Sequence, residues 1–200
     1  MLGPEYLLLS SQYEKYLNQN RLRLGPIERV LVFFGSIDSA RQTELAIESI
    51  IDLNQVQIIF DVIVGKGNPR SKIIRDKCSE VENIRFHCQV DNMSEFIFEA
   101  DFSLGAGGAT TWERALLGLP SAVTIVADNQ LETTQSAEEK GIVINLGHFS
   151  AVSSETYLNT LGTMIAFPEL LRRMSSDCLK LFGSPKKFHI LDLIDGKNSY

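Results

Sequence analysis

Short apolar runs alternate with helix-length segments along this chain, and this alternation limits the possible fold more than any other feature. The runs lie at Arg29–Phe34, Val56–Val64, Ile84–Cys88, 101–104, 120–126 and Ile142–Leu146. Between them, apolar residues recur at helical spacing, as at Ala46, Ile50 and Leu53. Continuous apolar runs are typical of parallel strands buried on both faces. The sequence therefore predicts an α/β fold with a doubly wound, Rossmann-like parallel sheet of about six strands and flanking helices.

Proline and glycine pairs divide the chain into three parts. Gly3-Pro4 and Gly25-Pro26 punctuate residues 1–28, which we interpret as an arm or linker that packs on something, such as another domain. Residues 29–185 form the predicted domain. Gly183-Ser184-Pro185 breaks the chain near its end, and residues 186–200 are predicted to form a C-terminal helix or tail.

Composition excludes several classes of protein. The chain is 44% hydrophobic and 22% charged, which is typical of a folded domain. Its net charge is −6 and no long basic block occurs, which argues against nucleic acid as the main partner. No apolar run approaches the ~18–20 residues of a membrane span, and no signal peptide is recognisable. Three separated cysteines without C-x-x-C spacing favour a reduced, cytoplasmic protein in which all three are packing residues.

The loops that follow the strands mark the predicted binding edge. In a doubly wound sheet, ligands bind at the carboxyl ends of the strands, near the point where the strand order switches. Four loops occupy such ends and can converge on one cleft: Gly35–Ser39, Gly65–Pro69, Gly105–Thr111 and Ala127–Gln130.

The loop GAGGATT carries the strongest chemical signal. Gly105, Gly107 and Gly108 let the backbone bend and approach a ligand, and Thr110 and Thr111 open a helix whose free N–H groups suit phosphate. The spacing matches neither the dinucleotide fingerprint nor a P-loop. The alternative is a tight strand-to-helix turn without a ligand.

Three further groups have two interpretations each. Thr110 and Glu113 have capping-box spacing, but Glu113 could instead bind ribose hydroxyls. Asp128, Asn129 and Gln130 could cap the next helix or contact a sugar. Gly35 and Ser36 could donate backbone N–H groups to phosphate or simply turn the chain.

No group in the sequence is a convincing catalyst. His87, His148 and His189 are isolated and lack metal-ligand spacing. A G-x-S-x-G nucleophile elbow and a recognisable Ser–His–Asp arrangement are absent from the sequence. We therefore predict no catalytic residue, no metal site and no cofactor for this chain.

The segment GAGGATTWERALLGLPSAVTIVADNQ resembles the C-terminal half of the UDP-sugar hydrolases of pseudaminic acid biosynthesis (PseG type) and their spore-coat polysaccharide (SpsG-type) relatives. These families are similar to the nucleotide-binding half of MurG-type glycosyltransferases, which have the two-domain GT-B fold. The matching residues are Gly105–Gly108, Trp112-Glu113, Gly118-Leu119-Pro120 and Ala127–Gln130. The likeness extends over roughly residues 1–185.

The resemblance implies a UDP-sugar-binding GT-B C-terminal domain acting in nonulosonic acid or surface polysaccharide biosynthesis. It places the diphosphate at the glycine loop with Ala109, Thr110 and Thr111, the ribose at Glu113, and the sugar near Asn129 and Gln130. It also implies that the strand ends at Gly65 and after Cys88 frame the uracil. Where the family usually has G-G-S-D, this chain has Gly35-Ser36-Ile37-Asp38, a departure in that loop.

The resemblance further implies a catalytic histidine in an N-terminal domain that these residues do not include. We therefore expect a partner domain or subunit, and little or no activity of the chain alone. Together with this partner domain or subunit, the chain would release UDP from a 2,4-diacetamido-type UDP-sugar. Two alternatives remain open, namely the donor-binding subunit of a two-chain glycosyltransferase and a non-catalytic nucleotide-sugar-binding module.

Overall fold

Six parallel strands form one sheet in the order β3-β2-β1-β4-β5-β6. The structure, a computed structural model, describes residues 11–17, 19 and 21–182. The strands are β1 (Arg29–Phe33), β2 (Ile59–Val64), β3 (Ile84–Cys88), β4 (Phe102–Ala106), β5 (Ser121–Ile125) and β6 (Val143–His148). The helices are α1 (Gln42–Leu53), α2 (Ser71–Ser79), α3 (Met93–Glu99), α4 (Thr110–Leu116), α5 (Leu131–Glu139), α6 (Ser154–Ala166) and α7 (Pro168–Phe182). The predicted fold class is confirmed.

The central strands are apolar on both faces because helices cover both faces of the sheet. Val30 and Val32 of β1 belong to one large core cluster, which also includes residues of α1, α6 and α7. Leu31, between them, points into a second cluster that includes Ile97 of α3. A strand packed on both sides has no polar face, so the sequence lacks the alternation of a half-exposed strand.

The sheet winds in opposite directions from β1. The chain passes from β1 to β2 and β3 on one side, and then crosses to β4, β5 and β6 on the other side. The loops that follow β1 and β4 therefore diverge at neighbouring carboxyl ends, the position at which doubly wound sheets have their ligand crevice.

The described part of the N-terminal arm packs on this same domain. Tyr13 and Ile27 are buried. The buried Arg23 guanidinium donates hydrogen bonds to backbone carbonyls around the ends of α3 and α4, including that of Ala100 at 3.1 Å. The Asp101 carboxylate accepts hydrogen bonds from the Glu28 and Arg29 amides, each at 2.9 Å. The arm therefore contributes to the core of the domain that follows it.

Several element boundaries differ from the sequence expectation. β2 begins at Ile59 because Val56, the predicted first residue, is 76% exposed. β4 continues through Ala106, so Gly105 lies inside the strand. Helix α5 ends at Glu139, shortly before Gly141, which has a φ of 70°.

Burial divides the three free cysteines. Cys78 and Cys178 are buried, but Cys88 is exposed at the end of the edge strand β3, so the packing prediction is wrong for Cys88. Among the described residues, no helix has the length and apolar character that crossing a membrane requires. The predicted C-terminal helix or tail, 186–200, lies outside the described residues.

Candidate functional site

The glycine loop after β4 forms one wall of the crevice, and its glycines have different surroundings. A Cβ on Gly105 would lie 2.1 Å from Arg114 Nη1 and 2.7 Å from the Phe33 carbonyl oxygen. A Cβ on Gly107 would lie 2.1 Å from Thr134 Oγ1. Gly108 faces open space, with only Gln130 Nε2 at 3.8 Å. The first two glycines allow close packing, whereas Gly108 leaves the crevice side of the loop uncovered.

Three consecutive backbone amides of this loop have no protein acceptor in the part of the chain that the structure describes. They belong to Gly108, Ala109 and Thr110, whereas the preceding Gly107 amide donates to the Thr124 carbonyl at 3.2 Å. Ala109 is exposed, and Gly108 and Thr110 are half-buried. Successive free amides at the start of a helix attract anions. The loop can therefore accept a phosphate group without rearrangement of its own hydrogen bonds.

The capping-box interpretation of Thr110 and Glu113 is wrong. Helix α4 begins at Thr110 itself, Ala109 is its N-cap, and no side chain caps it. Glu113 instead lies beside the buried Tyr13 hydroxyl, and its charge and hydrogen bond reinforce the effect of burial in raising the Tyr13 pKa. The carboxylate thus lies between the N-terminal arm and the first turn of α4, and is half-buried there.

A buried guanidinium lies directly beneath the glycine loop. Arg114 is 1% exposed, and its Nη2 donates to the Ala106 carbonyl at 2.9 Å and to Thr111 Oγ1 at 3.2 Å. Burial lowers the Arg114 pKa to about 10, so the group stays protonated at neutral pH. Because arginine is usually exposed, the sequence did not single out Arg114. The sequence feature that could have indicated its burial is its place in a short helix before Gly118-Leu119-Pro120. In the structure Thr111, Trp112 and Ala115 of that helix are buried as well.

The loop after β1 forms the opposite wall. Gly35 has a φ of 96° and open space around its Cβ position, and Ser36 is exposed. The Ser36 carbonyl accepts a hydrogen bond from the Gly65 amide at 3.0 Å, and a Cβ on Gly65 would lie 2.5 Å from Ser36 Cβ. Gly65 therefore holds the loops after β1 and β2 together.

Asp38 already occupies the start of α1. Its carboxylate oxygens accept hydrogen bonds from the amides of Gln42 at 3.1 Å and Thr43 at 2.7 Å. An anionic side chain at this position satisfies the helix dipole and its free amides. A bound phosphate is consequently favoured on the glycine-loop side of the crevice rather than at α1.

The Asp128–Gln130 segment is a 3-10 helix that brings Gln130 beside the glycine loop. Gln130 Oε1 accepts a hydrogen bond from the Val126 amide at 3.0 Å, which leaves Nε2 directed toward Gly108. Asp128 and Asn129 are exposed. The alternative in which one of these residues caps the next helix is wrong, since neither the 3-10 helix nor α5 has a side-chain cap hydrogen bond.

A buried chain of hydrogen bonds connects the two walls below the crevice. Tyr157 Oη donates to Gln42 Oε1 at 2.8 Å and lies 2.7 Å from Thr124 Oγ1. The carbonyl of Thr124 holds the Gly107 amide, and the Gln42 side chain donates to the Ala40 carbonyl in the loop after β1. Local sequence does not reveal this role of Tyr157, because its partners are far away along the chain.

Three buried polar atoms around the same edge have no partner among the described residues. They are Thr43 Oγ1 in the first turn of α1, Asn68 Nδ2 after β2, and Thr134 Oγ1 beside Gly107. Buried polar atoms are normally paired, so unpaired ones mark a place where water or a ligand completes the structure. The predicted loops thus surround one polar edge at the carboxyl ends of the strands.

The histidines have structural contacts outside this crevice. His87 Nε2 lies 2.7 Å from the buried Asp61 carboxylate, and its ring packs edge-on against Phe96. His148 Nδ1 lies 2.8 Å from Ser150 Oγ at the end of β6. His189 lies outside the described residues.

Comparison with known proteins gives one sequence relative. The chain is 21% identical over 167 residues to the spore coat polysaccharide biosynthesis protein SpsG of Bacillus subtilis (strain 168). The match covers 82% of this chain and 48% of SpsG, so the chain spans about half the length of the curated relative it matches. No family model matches the chain.

Several solved structures share the fold. WaaG, a glycosyltransferase involved in lipopolysaccharide biosynthesis, has a TM-score of 0.64 at 18% identity, with 94% of this chain and 52% of WaaG covered. MurG of Acinetobacter baumannii has a TM-score of 0.66 at 17% identity, with 95% and 54% covered. The UDP-GlcNAc 2-epimerase of Neisseria meningitidis bound to UDP-GlcNAc has a TM-score of 0.57 at 18% identity, with 82% and 43% covered. The chain has the Rossmann-like fold of GT-B C-terminal domains and is a distant homologue of SpsG.

Proposed function

We propose that this chain is the UDP-sugar-binding half of a nucleotide-sugar hydrolase that acts in nonulosonic acid or surface polysaccharide biosynthesis. The observation that carries the proposal is the glycine loop at the β1–β4 switch point, where the amides of Gly108, Ala109 and Thr110 are free. A diphosphate needs several convergent donors that do not bring a competing negative charge. This loop offers them at the place where doubly wound sheets bind ligands.

The proposed binding residues contribute in two ways. Gly105, Gly107 and Thr111 are buried, so they act by shaping the loop. The remaining residues are at least partly accessible and can contact UDP or the sugar: Gly35, Ser36, Gly108, Ala109, Thr110, Glu113, Asn129 and Gln130. In this arrangement the loop amides hold the diphosphate, Glu113 accepts hydrogen bonds from the ribose, and Asn129 and Gln130 face the sugar.

Hydrolysis requires both stabilisation of the leaving group and activation of water. The loop can stabilise the departing diphosphate through its amides, because donors in place before the reaction lower the barrier as charge develops on the leaving group. Activation of water is assigned to a partner domain or subunit. The chain's span of about half of SpsG supports this division of labour. A cytoplasmic location, where UDP-sugars are made, belongs to the same proposal.

The second candidate is the donor-binding subunit of a two-chain glycosyltransferase. The fold shared with the glycosyltransferase WaaG favours it. A third candidate is a non-catalytic nucleotide-sugar-binding module, which the departure at Ser36 and Ile37 favours. Ile37 is 56% exposed in the loop after β1, and Asp38 is bound to the start of α1.

Titration of the chain with UDP, UMP, UDP-GlcNAc and CMP tests the proposal. We expect saturable UDP and UDP-GlcNAc binding, weaker UMP and CMP binding, and an increase in thermal stability. Ligand at one hundred times its Kd adds about 2.7 kcal/mol to the free energy of unfolding. Absence of saturable UDP binding would contradict the proposal.

A second experiment separates hydrolysis from transfer. The chain is mixed with an N-terminal half supplied as a separate protein, and free sugar and new glycoside are measured from the same UDP-sugar. Free sugar without glycoside supports the hydrolase, and glycoside formation supports the transferase. Appreciable UDP release by the chain alone would contradict the assignment of water activation to a partner.

A further inference from the structure

We propose that Arg114 is a positioning residue whose buried charge makes the glycine loop selective for polyanionic ligands, with the bound diphosphate as its counter-charge. The proposal rests on the proposed function, since it concerns the same loop. It assigns a role to a residue that lies beneath the ligand rather than in contact with it.

The geometry places the guanidinium between the strand and the helix that bracket the loop. Nη2 donates to the Ala106 carbonyl, the last residue of β4, and to Thr111 Oγ1 in the first turn of α4. Nη1 fills the space that a Cβ on Gly105 would need. Residues 107–110 therefore lie between the guanidinium's two hydrogen-bonding partners. A substitution of Arg114 would therefore remove a hydrogen bond at each end of the loop.

The charge of Arg114 is only partly compensated inside the protein. The charge of the neighbouring Glu113 raises the Arg114 pKa against the effect of burial. No carboxylate lies within salt-bridge distance of the guanidinium in the described part of the chain, and its Nε is buried there without a partner. Arg29, by contrast, is paired with Asp61 and Glu99. A buried cation without a counter-ion is costly, so a nearby anion is strongly favoured.

The free loop amides provide the position for that anion. The amides of Gly108, Ala109 and Thr110 have no acceptor among the described residues, and both they and the guanidinium attract negative charge. The attraction between the guanidinium and a ligand grows with the ligand's charge and is weakly screened in a buried site. UDP should gain most from Arg114, UMP less, and uridine almost nothing.

The ratio of UDP to uridine affinity in Arg114→Gln tests this proposal. Glutamine keeps a hydrogen-bond donor but removes the charge. We expect UDP affinity to fall on the order of tenfold, UMP affinity to fall less, and uridine affinity to change by less than about twofold. Uridine is followed by NMR titration at high concentration. A merely structural role would weaken all three ligands by the same factor, and that result would overturn the proposal.

A variant that keeps the charge makes the test independent of whether Arg114→Gln folds. Arg114→Lys keeps the cation with fewer donors, and we expect its UDP-to-uridine ratio to stay within about threefold of wild type. A collapse of that ratio in folded Arg114→Lys would overturn the role of charge. If wild type fails to bind UDP, the proposed function itself fails; if wild type binds but ratios are insensitive to charge, only this inference fails.

Discussion

Adjacent glycines in the loop after β4 have unequal roles at the residue scale. Gly107 is surrounded by Thr134 Oγ1, Val123 Cγ1 and Gln130 Cβ, whereas Gly108 has a single distant neighbour. The first is glycine because the protein leaves no room for a side chain. The second has open space at its Cβ position, where the proposed ligand would bind. The GAGGATT motif alone does not distinguish these roles, because they depend on residues of β5 and α5.

Substitution of the two glycines by alanine should therefore affect different properties, namely stability at Gly107 and UDP binding at Gly108. Gly107→Ala should lower the free energy of unfolding by about 1–3 kcal/mol, because its Cβ would lie 2.1 Å from Thr134 Oγ1 and 3.1 Å from Val123 Cγ1. Gly108→Ala, the matched control, should stay within about 0.5 kcal/mol of wild type while weakening UDP binding. Urea unfolding and UDP titration measure both effects. Equal stability of the two variants would contradict this account.

Thr110 and Glu113 show why spacing alone misleads at this scale. An S/T-x-x-E pattern is a capping box only if the threonine is the N-cap. The helix instead begins at Thr110, one residue earlier than the capping box requires. A shift of one residue changes the role of both side chains, and local sequence does not determine helix ends to that accuracy.

At the element scale, one ion pair holds the start of α1 to the loop before α2. The Glu44 carboxylate accepts hydrogen bonds from Arg70, with Nη2 at 2.7 Å, and from Arg41 Nε at 3.3 Å. Glu44 is buried, and the hydrogen bond from Arg70 lowers the pKa of the carboxyl below its usual 4.5. The loops after β1 and β2 are thereby held at one edge of the crevice.

Glu44→Gln should lower the free energy of unfolding by about 1–2 kcal/mol at neutral pH, since it leaves Arg70 without its partner. A carboxyl whose folded-state pKa is lowered stabilises the protein fully above its unfolded pKa of 4.5. That stabilisation disappears as the pH falls through the folded-state pKa. The difference between wild type and Glu44→Gln should therefore shrink below pH 4.5, as measured by urea unfolding across a pH series.

Glu48 supplies the control for this prediction. Its pair with Lys77 is exposed on both sides, so Glu48→Gln should change stability by less than about 0.5 kcal/mol at any pH. A difference between wild type and Glu44→Gln that does not depend on pH would argue against the ion pair as its source.

Helix α6 joins the two walls of the crevice through Tyr157. Tyr157→Phe should cost about 1–3 kcal/mol, because it leaves buried oxygens of Gln42 and Thr124 without their partner. Thr124→Val removes the hydroxyl on the other side of the same contact. A double-mutant cycle should give a coupling free energy above about 0.5 kcal/mol. Strictly additive effects of the two substitutions would show that the three groups do not act as one unit.

At the scale of the whole molecule, the arm before β1 is integrated into the domain. Arg23 is 2% exposed, and its guanidinium donates to the carbonyls of Ile97, Phe98, Ala100 and Leu117. These carbonyls lie where α3 and α4 end, so one side chain fixes two helix ends and the arm itself. The pKa of Arg23 is lowered to about 9, chiefly by burial.

Arg23→Met should lower the free energy of unfolding by about 3–5 kcal/mol, since buried carbonyls would lose their donor. Leu24→Ala is the neighbouring control, because Leu24 is 59% exposed and should contribute less than about 0.5 kcal/mol. Thermal and urea unfolding of the full chain measure both. A loss below 1 kcal/mol in Arg23→Met would mean that the arm is a loosely attached extension.

The sequence by itself determined the class of fold and the loops that carry the candidate site. Continuous apolar runs and helical spacing are local patterns, so they identify six strands and the helices between them with boundary errors of a few residues. The glycine loop was recognisable for the same reason, since its signal lies within seven consecutive residues, Gly105–Thr111.

Only the tertiary structure decided the order of the strands, and with it the position of the crevice between β1 and β4. It also decided that Asp38 fills the start of α1, that Arg114 lies beneath the glycine loop, and that Tyr157 reaches Gln42. Strand order and the Tyr157 contact depend on residues far apart in the chain; Tyr157 and Gln42 are separated by 115 positions. The burial of Arg114 likewise depends on the residues packed around the short helix α4, which no local sequence pattern specifies.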